Sequence, residues 1–204
     1  MQITELFPIP VAQFDLEPVT AEQLAWLAGQ EWMHNPHNRI TVNKNLLDAE
    51  IMAPLRRQID ECMEEYRRKF ISTSPEFSVE ITQSWCNFAQ QGEGHHMHSH
   101  PNSVVSGSYY PQTMDGDALE FTRIAALNSP YRVPVLPEDI NEWNCRTVRI
   151  PAKQNSLLLF PSDVLHSAPP REHNIGSERI SLALNSFYKG RIGDYNDVTE
   201  LHIS

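Results

Sequence analysis

The segment Arg179-Ile-Ser-Leu-Ala-Leu-Asn185 decides the fold, because large apolar residues alternate in it with polar or small ones. Successive side chains on a β-strand point to opposite faces, so the segment is predicted to be a strand with one apolar face. We expect this apolar face to pack outward against helices. Arg179 would then point into a barrel, although an Arg at the start of a strand can also reach out to solvent.

Short β-type runs surround this segment after residue 75, separated by Gly, Pro, Asn and Asp. Such runs are typical of an antiparallel sandwich or barrel. The predicted strands are Ser78–Gln90, His96–His100, Ser103–Tyr110, Ala118–Ile124, Thr147–Ile150, Ser156–Phe160 and Arg179–Tyr188. Residues 128–145 contain several prolines and few periodic apolar positions, and the length of this loop predicts a lid or rim.

Two helices are predicted before the strands. Thr20-Ala-Glu-Gln23 has the form of a capping box, which predicts a short helix over about residues 20–33. Residues 35–45 are predicted to be a loop. Between residues 48 and 70 apolar side chains recur every three or four positions, which predicts an amphipathic helix. Pro54 fits if this helix begins about one residue before it or bends there.

The bulk composition predicts a single domain over residues 1–204, with 40% hydrophobic residues. Residues 1–75 would be a helical support region, 76–190 a β core that carries the site, and 191–204 a tail. The formal net charge of −10 opposes binding to nucleic acid. Three separated cysteines, and the lack of a signal peptide or an apolar stretch of membrane length, predict a cytoplasmic protein without a membrane partner. The sequence carries no signal of oligomeric state.

Residues 94–101, Gly-His-His-Met-His-Ser-His-Pro, hold four of the nine histidines. Imidazole is the commonest protein ligand for metals such as zinc and iron. Two His at positions i and i+2 of a strand share a face, so His98 and His100 are a candidate pair of ligands. A run of four His also occurs in solvated loops.

His166 is a candidate third ligand. It follows the apolar run 156–160 after a break at Pro161. In a barrel, the strands between His100 and His166 can cross the sheet and return, which would bring the two together. A His packed on the rim and hydrogen-bonded to backbone is the other interpretation. If Arg179 points inward, its guanidinium and the Ser181 hydroxyl would form a charge-assisted site for a small carboxylate.

Six motifs follow one another between about residues 81 and 188. They are Trp85-Cys-Asn87, His98-Ser-His100-Pro-Asn-Ser103, Ser106-Gly-Ser-Tyr109-Tyr110, Phe160-Pro-Ser162, His166 and Arg179-Ile-Ser181. Together they resemble the iron(II)- and 2-oxoglutarate-dependent oxygenases, and more narrowly a family of such oxygenases found in bacteria and phages. The resemblance implies a mainly β fold with N-terminal helices, in which a double-stranded β-helix (jelly roll) packs against one or two α-helices.

The resemblance also implies a dioxygenase that uses Fe(II), O2 and 2-oxoglutarate, with ascorbate in a supporting role. The catalytic metal ligands would be His98, His100 and His166. The residues that bind 2-oxoglutarate would be Arg179, Ser181 and Tyr110. The co-substrate would be decarboxylated to succinate while a substrate is hydroxylated. Candidate substrates are a prolyl or other protein side chain and a small metabolite.

One position departs from the usual motif of these oxygenases, which is His-x-Asp or His-x-Glu. His100 stands where the carboxylate is expected. We favour an all-His triad, but two alternatives stay open. A carboxylate such as Glu93 or Asp163 could complete the site, or the pair could be His96 with His98.

A cupin-like barrel that binds metal or ligand without 2-oxoglutarate chemistry is the alternative function. Gly92, five residues and then His98-Ser-His100 fit the opening of the first cupin motif. However, the Glu that a cupin places four or five residues later is missing. A cupin has no need of Arg179 and Ser181, so this pair discriminates between the two functions. An inactive protein of the same fold that binds no metal is a further alternative.

Overall fold

The computed structural model describes residues 1–123, 138–170, 178–194 and 196–203. In chain order its elements are β1 (Ala12–Asp15), α1 (Ala21–Ala28), β2 (Trp32–Asn35), β3 (Asn38–Thr41), α2 (Ala53–Tyr66), β4 (Phe77–Ala89), β5 (His95–His98), β6 (Val105–Gln112), β7 (Ala118–Thr122), β8 (Thr147–Pro151), β9 (Ser156–Pro161), β10 (Leu165–Ala168), β11 (Arg179–Ile192) and β12 (Thr199–Leu201). Within these residues, no helix is both long and apolar enough to cross a membrane.

The strands form two antiparallel sheets. The larger sheet has the order β1-β9-β6-β11-β4-β3-β2, with β12 paired to β11, and the smaller sheet has the order β5-β10-β7-β8. The predicted mainly β fold with N-terminal helices is therefore confirmed. Strands distant in sequence, such as β4 and β11, are neighbours over twelve residue pairs.

The apolar core has two parts, and β9 contributes to both. Leu157 and Leu159 pack with the helices on the outer face of the larger sheet. Leu158 and Phe160 point the other way and pack against Leu119 and its neighbours on the smaller sheet. A continuous apolar run of this kind is what a strand buried on both faces requires.

β11 shows the alternation that its sequence predicts. Ile180, Leu182 and Leu184 belong to the outer core that the helices cover. Arg179 and Ser181 are buried on the opposite face and line a cavity between the sheets. The apolar face thus fixes the direction in which the polar side chains point.

Both predicted helices are present, but α1 ends early and the regular α2 begins five residues after the start of the predicted range 48–70. Thr20 Oγ1 accepts a hydrogen bond from the Gln23 backbone N–H at 3.1 Å, while the Thr20 N–H donates to Gln23 Oε1 at 2.8 Å. This capping box starts α1, which ends at Ala28 rather than near residue 33. α2 begins at Ala53, one residue before Pro54, where the missing proline N–H breaks no helical hydrogen bond.

The prediction of a loop over residues 35–45 is wrong. β2 and β3 form a hairpin that joins the larger sheet beside β4. Trp32 begins β2, and its ring packs edge-on against Phe88 at 5.6 Å between centroids. The short strand β1 also joins this sheet. Residues 1–75 therefore supply strands as well as helices.

Several strand boundaries also differ from the prediction. β5 covers His95–His98, so His100 lies beyond the strand that was predicted to contain it. Residues 165–168 form a strand, β10, that the sequence did not indicate, and the tail residues 199–201 pair with β11 as β12. Ile124 and residues 128–137 of the predicted lid lie outside the described residues.

Candidate metal centre

The smaller sheet brings two histidines together. His98 is the last residue of β5 and is paired directly with His166 on β10. His100 follows two residues after β5, and its backbone N–H donates to the Ser162 carbonyl at 2.8 Å. This hydrogen bond returns the chain toward the turn that precedes β10, so all three imidazoles lie at one end of the sheet.

The three rings form a compact cluster. One ring nitrogen from each of His98, His100 and His166 lies within 4.8 Å of the other two. The ring centroids are separated by 4.4 Å for His98 and His166, 4.9 Å for His98 and His100, and 5.1 Å for His100 and His166. Three imidazole nitrogens at these distances can converge on a single ion.

Backbone carbonyls fix which nitrogen two of these rings present. His98 Nδ1 is 2.8 Å from the His96 carbonyl oxygen, and His166 Nδ1 is 2.9 Å from the Val164 carbonyl oxygen. Because a carbonyl oxygen can only accept, each Nδ1 carries the hydrogen. In the neutral ring the lone pair then lies on Nε2, which is the arrangement that metal-binding histidines adopt.

Burial keeps the rings neutral. Desolvation lowers the pKa of His98, and it lowers the pKa of His100 to about 4 and that of His166 to about 3. Neighbouring histidines add to the depression, because two adjacent imidazolium ions repel each other. Neutral imidazoles need no deprotonation before they bind a metal.

Of the two alternative ligand sets, only the one with His96 forms a cluster among the described residues. A second cluster, His95, His96 and His98, also lies within 4.8 Å, so the His96-x-His98 pair is sterically feasible. Neither of the two clusters found among the described residues contains a carboxylate. Glu93 instead accepts a hydrogen bond from the Gln90 N–H at 2.8 Å, and Asp163 is exposed to solvent.

A buried guanidinium faces the histidines from the larger sheet. Arg179 begins β11 and has 3% of its surface exposed. Its Nη1 donates to Asp117 Oδ1 at 3.1 Å, and Asp117 also accepts from the Met114 N–H at 2.7 Å. The ion pair holds the guanidinium in a fixed orientation at the wall of the cavity.

Other polar groups complete this wall. Ser181 and Tyr110 line the same cavity as Arg179 and the three histidines, and burial raises the pKa of the Tyr110 hydroxyl. Asn87 also lines it, and its buried Oδ1 has no hydrogen-bond partner among the described residues. A buried amide oxygen without a partner is costly, which suggests that this wall is built to contact a polar ligand. The donor set therefore suits a transition metal with a small carboxylate beside it.

Sequence reasoning missed two members of the site, Asp117 and Asn87. Asp117 precedes a predicted strand, where an acidic residue is normally exposed, and no pattern indicates that it pairs with Arg179. Asn87 lies in one of the six motifs, but nothing in that motif indicates a role for it. Only its position opposite Ser181 in the register of β4 and β11 places it in the cavity.

Comparison with protein families gives one match. The model of a family described as "Putative 2OG-Fe(II) oxygenase" matches residues 83–185, about half of the chain, and this range contains every residue of the site. No curated protein shows a significant sequence match to the chain.

Comparison with solved structures shows the fold. A prolyl-4-hydroxylase from Pseudomonas putida superposes with a TM-score of 0.54 and 16% identity, over 88% of this chain and 94% of that one. HygX from Streptomyces hygroscopicus, solved with nickel, 2-oxoglutarate and hygromycin B, gives 0.56 and 10% over 87% and 82%. SnoN, an α-ketoglutarate-dependent epimerase from nogalamycin biosynthesis, gives 0.57 and 12% over 89% and 81%. The predicted double-stranded β-helix is thereby confirmed.

Proposed function

The chain belongs to the 2OG-Fe(II) oxygenase family, and from this premise we propose that it hydroxylates a C–H bond of a protein side chain or a small metabolite. One observation carries the proposal: three clustered imidazoles, on the smaller sheet and just after β5, line the same cavity as a buried arginine on the larger sheet. Fe(II) and 2-oxoglutarate are the metal and co-substrate of the family, and this donor set fits both.

The residues divide into two groups by task. Those proposed to hold Fe(II) are His98, His100 and His166. Those proposed to bind 2-oxoglutarate are Arg179, Ser181 and Tyr110. When bound, Fe(II) supplies the activation of O2, in which 2-oxoglutarate is oxidised to succinate and CO2 and one oxygen atom enters the substrate C–H bond.

The protein contributes position, charge and exclusion of water. The carbonyls of His96 and Val164 orient two rings so that Nε2 faces the cavity. The Arg179 guanidinium would attract the distal carboxylate of 2-oxoglutarate, and Asp117 keeps the guanidinium from rotating away. Leu119 and Phe160 make the wall apolar elsewhere, so polar contacts inside it are strengthened.

The all-His ligand set would have a consequence for charge. Three imidazoles leave the full charge of a divalent ion, whereas a carboxylate in place of His100 would lower it by one unit. The anionic co-substrate would then bind to a metal site with a higher positive charge than that of a site with a carboxylate ligand. We therefore expect 2-oxoglutarate and the metal to bind with strong mutual dependence.

An anaerobic spectroscopic experiment tests this function. Fe(II) and 2-oxoglutarate are added to the metal-free protein, and the weak visible band of charge transfer from iron to the 2-oxo acid is sought. We expect the band with both components, and neither with Zn(II) in place of Fe(II) nor with the His166→Ala variant. If wild-type protein binds iron but gives no band, the cupin-like alternative is supported instead.

A further inference from the structure

A second hollow lies against the other side of His100. It is an open groove beside the middle of β4 and β11, and the described residues that line it include His100, Gln83, Asn102, Asn185 and Phe187. We propose that this groove binds an uncharged peptide segment, which would be the substrate that the enzyme hydroxylates. The inference rests on the proposed function and adds a substrate class to it.

Strand register places the groove beside the metal centre. On β11 and β4, Ala183 is paired with Trp85, and both line the metal cavity. The next pair on the same face is Asn185 with Gln83, which lines the groove. The groove is therefore the continuation of the inner face of the larger sheet, one step beyond the cavity. His100 borders both spaces, so a ligand in the groove lies next to a proposed iron ligand.

Besides Thr82 and His100, the polar residues that line the groove all carry amide side chains. Asn185 Oδ1 accepts a hydrogen bond from Ser106 at 3.0 Å, and its Nδ2 donates to Gln83 Oε1 at 3.4 Å. The Gln83 side chain is thus held at its oxygen by Asn185, and Gln83 is exposed to solvent. Asn102 is exposed on the opposite rim. Carboxamides offer a donor and an acceptor side by side, which is the pattern that a peptide group presents.

The described residues that line the groove disfavour an ionic ligand. Among the described lining residues, His100 is the only one with an ionisable side chain. An ionic group would lose hydration in the groove without gaining an opposite charge from these residues. The net charge of −10 further opposes anions. A neutral ligand therefore fits the groove best.

The remaining lining is apolar, which favours a peptide over a polyol as the ligand. Pro101 and Ile203 flank the amides, and Phe187 has 37% of its surface exposed. An exposed aromatic ring next to two aliphatic side chains gains free energy only from a ligand with an apolar part. A peptide with an aliphatic residue at its centre supplies this part together with its amide groups.

Capped peptides provide a direct test. Three pools of N-acetylated, C-amidated pentapeptides are offered to the protein with Fe(II), 2-oxoglutarate and O2, with the central residue aliphatic or proline in one pool, Asp or Glu in the second, and Lys or Arg in the third. Succinate formation and a gain of one oxygen atom in the peptide mass are measured. We expect the neutral pool to raise succinate formation at least fivefold over the rate without peptide, and the charged pools to leave it unchanged.

Charge-introducing variants locate the binding site. Gln83→Glu and Asn102→Asp keep the side-chain shape and add a negative charge to the groove. Each is expected to raise the half-saturating peptide concentration about tenfold, with the affinity for 2-oxoglutarate unchanged. The matched control is Gln58→Glu, which makes the same change on α2, on the outer face of the sheet, and retains the acceptor for the Glu17 N–H. This control should behave as wild type.

Three results would overturn the inference while leaving the proposed function intact. The first is stimulation by a charged pool rather than by the neutral peptides. The second is equal peptide dependence in wild type and both groove variants. The third is no stimulation by any pool in a protein that gives the charge-transfer band. Loss of that band in the wild type would instead contradict the proposed function itself.

Discussion

At the scale of single residues, the direction of Arg179 decides what the cavity can bind. Its guanidinium is buried and paired with Asp117 on one nitrogen. A guanidinium carries several N–H donors, and this ion pair does not use all of them. An arginine is seldom buried without such a partner, because removing a charge from water is costly. The pair therefore makes a positive site possible inside an apolar wall.

Substitution of this arginine tests its role. Arg179→Ala is expected to raise the 2-oxoglutarate concentration needed for half-maximal turnover by 100-fold or more, on the order of the 3 kcal/mol that a charge-assisted pair supplies. Iron content, measured on the purified protein, should stay near wild type because no imidazole changes. Unchanged dependence on 2-oxoglutarate would refute the assigned role.

Asp117→Asn tests how the same guanidinium is positioned, by a milder change. The amide oxygen can still accept from the Met114 N–H, but the charge opposite Arg179 is lost. We expect a several-fold rise in the half-saturating concentration of 2-oxoglutarate, smaller than that of Arg179→Ala, because Asp117 acts only by positioning the guanidinium. An effect on kcat alone would be inconsistent with this role.

The histidine cluster predicts a pH dependence of stability in the metal-free protein. The pKa values of His100 and His166 lie below the ordinary 6.5 because the rings are buried. Below about pH 6.5 the unfolded chain therefore binds protons that the folded chain does not, so the free energy of unfolding must fall as the pH is lowered from 6.5 toward 4. Above pH 6.5 the rings are neutral in both states and contribute no slope.

Chemical denaturation between pH 4.5 and 7.5, with chelator present, measures this slope. His100→Gln should make the fall with decreasing pH shallower. His202→Gln, at a side chain that is 83% exposed, should not change it. A wild-type stability that is flat over this range would show that the rings are not held neutral by burial.

At the scale of elements, the start of β5 controls the distance between His98 and His166. Gly94 precedes β5, and its N–H donates to the His37 carbonyl at 3.0 Å, which ties β5 to the β2–β3 hairpin. A Cβ on Gly94 would lie 2.9 Å from the Pro170 nitrogen and closer still to the Ala168 carbonyl oxygen. Both are backbone atoms that cannot rotate away.

Gly94→Ala is therefore expected to push β5 away from β10. His98 would move relative to His166, and the affinity for Ni(II), measured by calorimetry, should fall at least tenfold. The control is Gly92→Ala, because a Cβ at Gly92 meets no atom within 4 Å and only the positive φ of 77° is strained. That strain costs about 1–2 kcal/mol of stability and should leave the affinity intact. Equal affinities in both variants would contradict this account.

The elements also show what the sequence could and could not predict. β9 and β11 were predicted well, because their apolar patterns are long and their burial on one or both faces is unambiguous. The β2–β3 hairpin was missed, since its strands have four residues each and its turn places His37, not a glycine, at a φ of 72°. The convergence of His98 and His166 depends on the pairing of β5 with β10, which follows from the resemblance to a family and not from either residue alone.

At the scale of the whole molecule, the candidate site joins the two sheets. Its imidazoles belong to the smaller sheet and to the segment after β5, whereas Arg179, Ser181 and Tyr110 belong to the larger one. A metal with bound 2-oxoglutarate would therefore connect the sheets through one ligand. The metal alone would bind only the imidazoles, and 2-oxoglutarate alone would contact only the side chains of the larger sheet.

Thermal unfolding measures this connection. With Ni(II) and 2-oxoglutarate each at 100 times its dissociation constant, a site of this kind adds about 2.7 kcal/mol or more. For a chain of this length that corresponds to a rise in Tm of about 5–10 °C. We expect a smaller rise with Ni(II) alone and almost none with 2-oxoglutarate alone. An equal rise with 2-oxoglutarate alone would show that its binding does not depend on the metal.

The edge position of β5 has a consequence for biosynthesis. In the described part of the chain this four-residue strand pairs only with β10, and β10 and β11 are encoded in the last fifth of the sequence. During translation His98 leaves the ribosome long before His166 and Arg179, so the nascent chain carries an incomplete set of the proposed site residues for most of its synthesis. If these residues hold iron as proposed, the full set would be complete only after the C-terminal strands have paired, so we expect metal loading to be one of the last steps in the maturation of the protein.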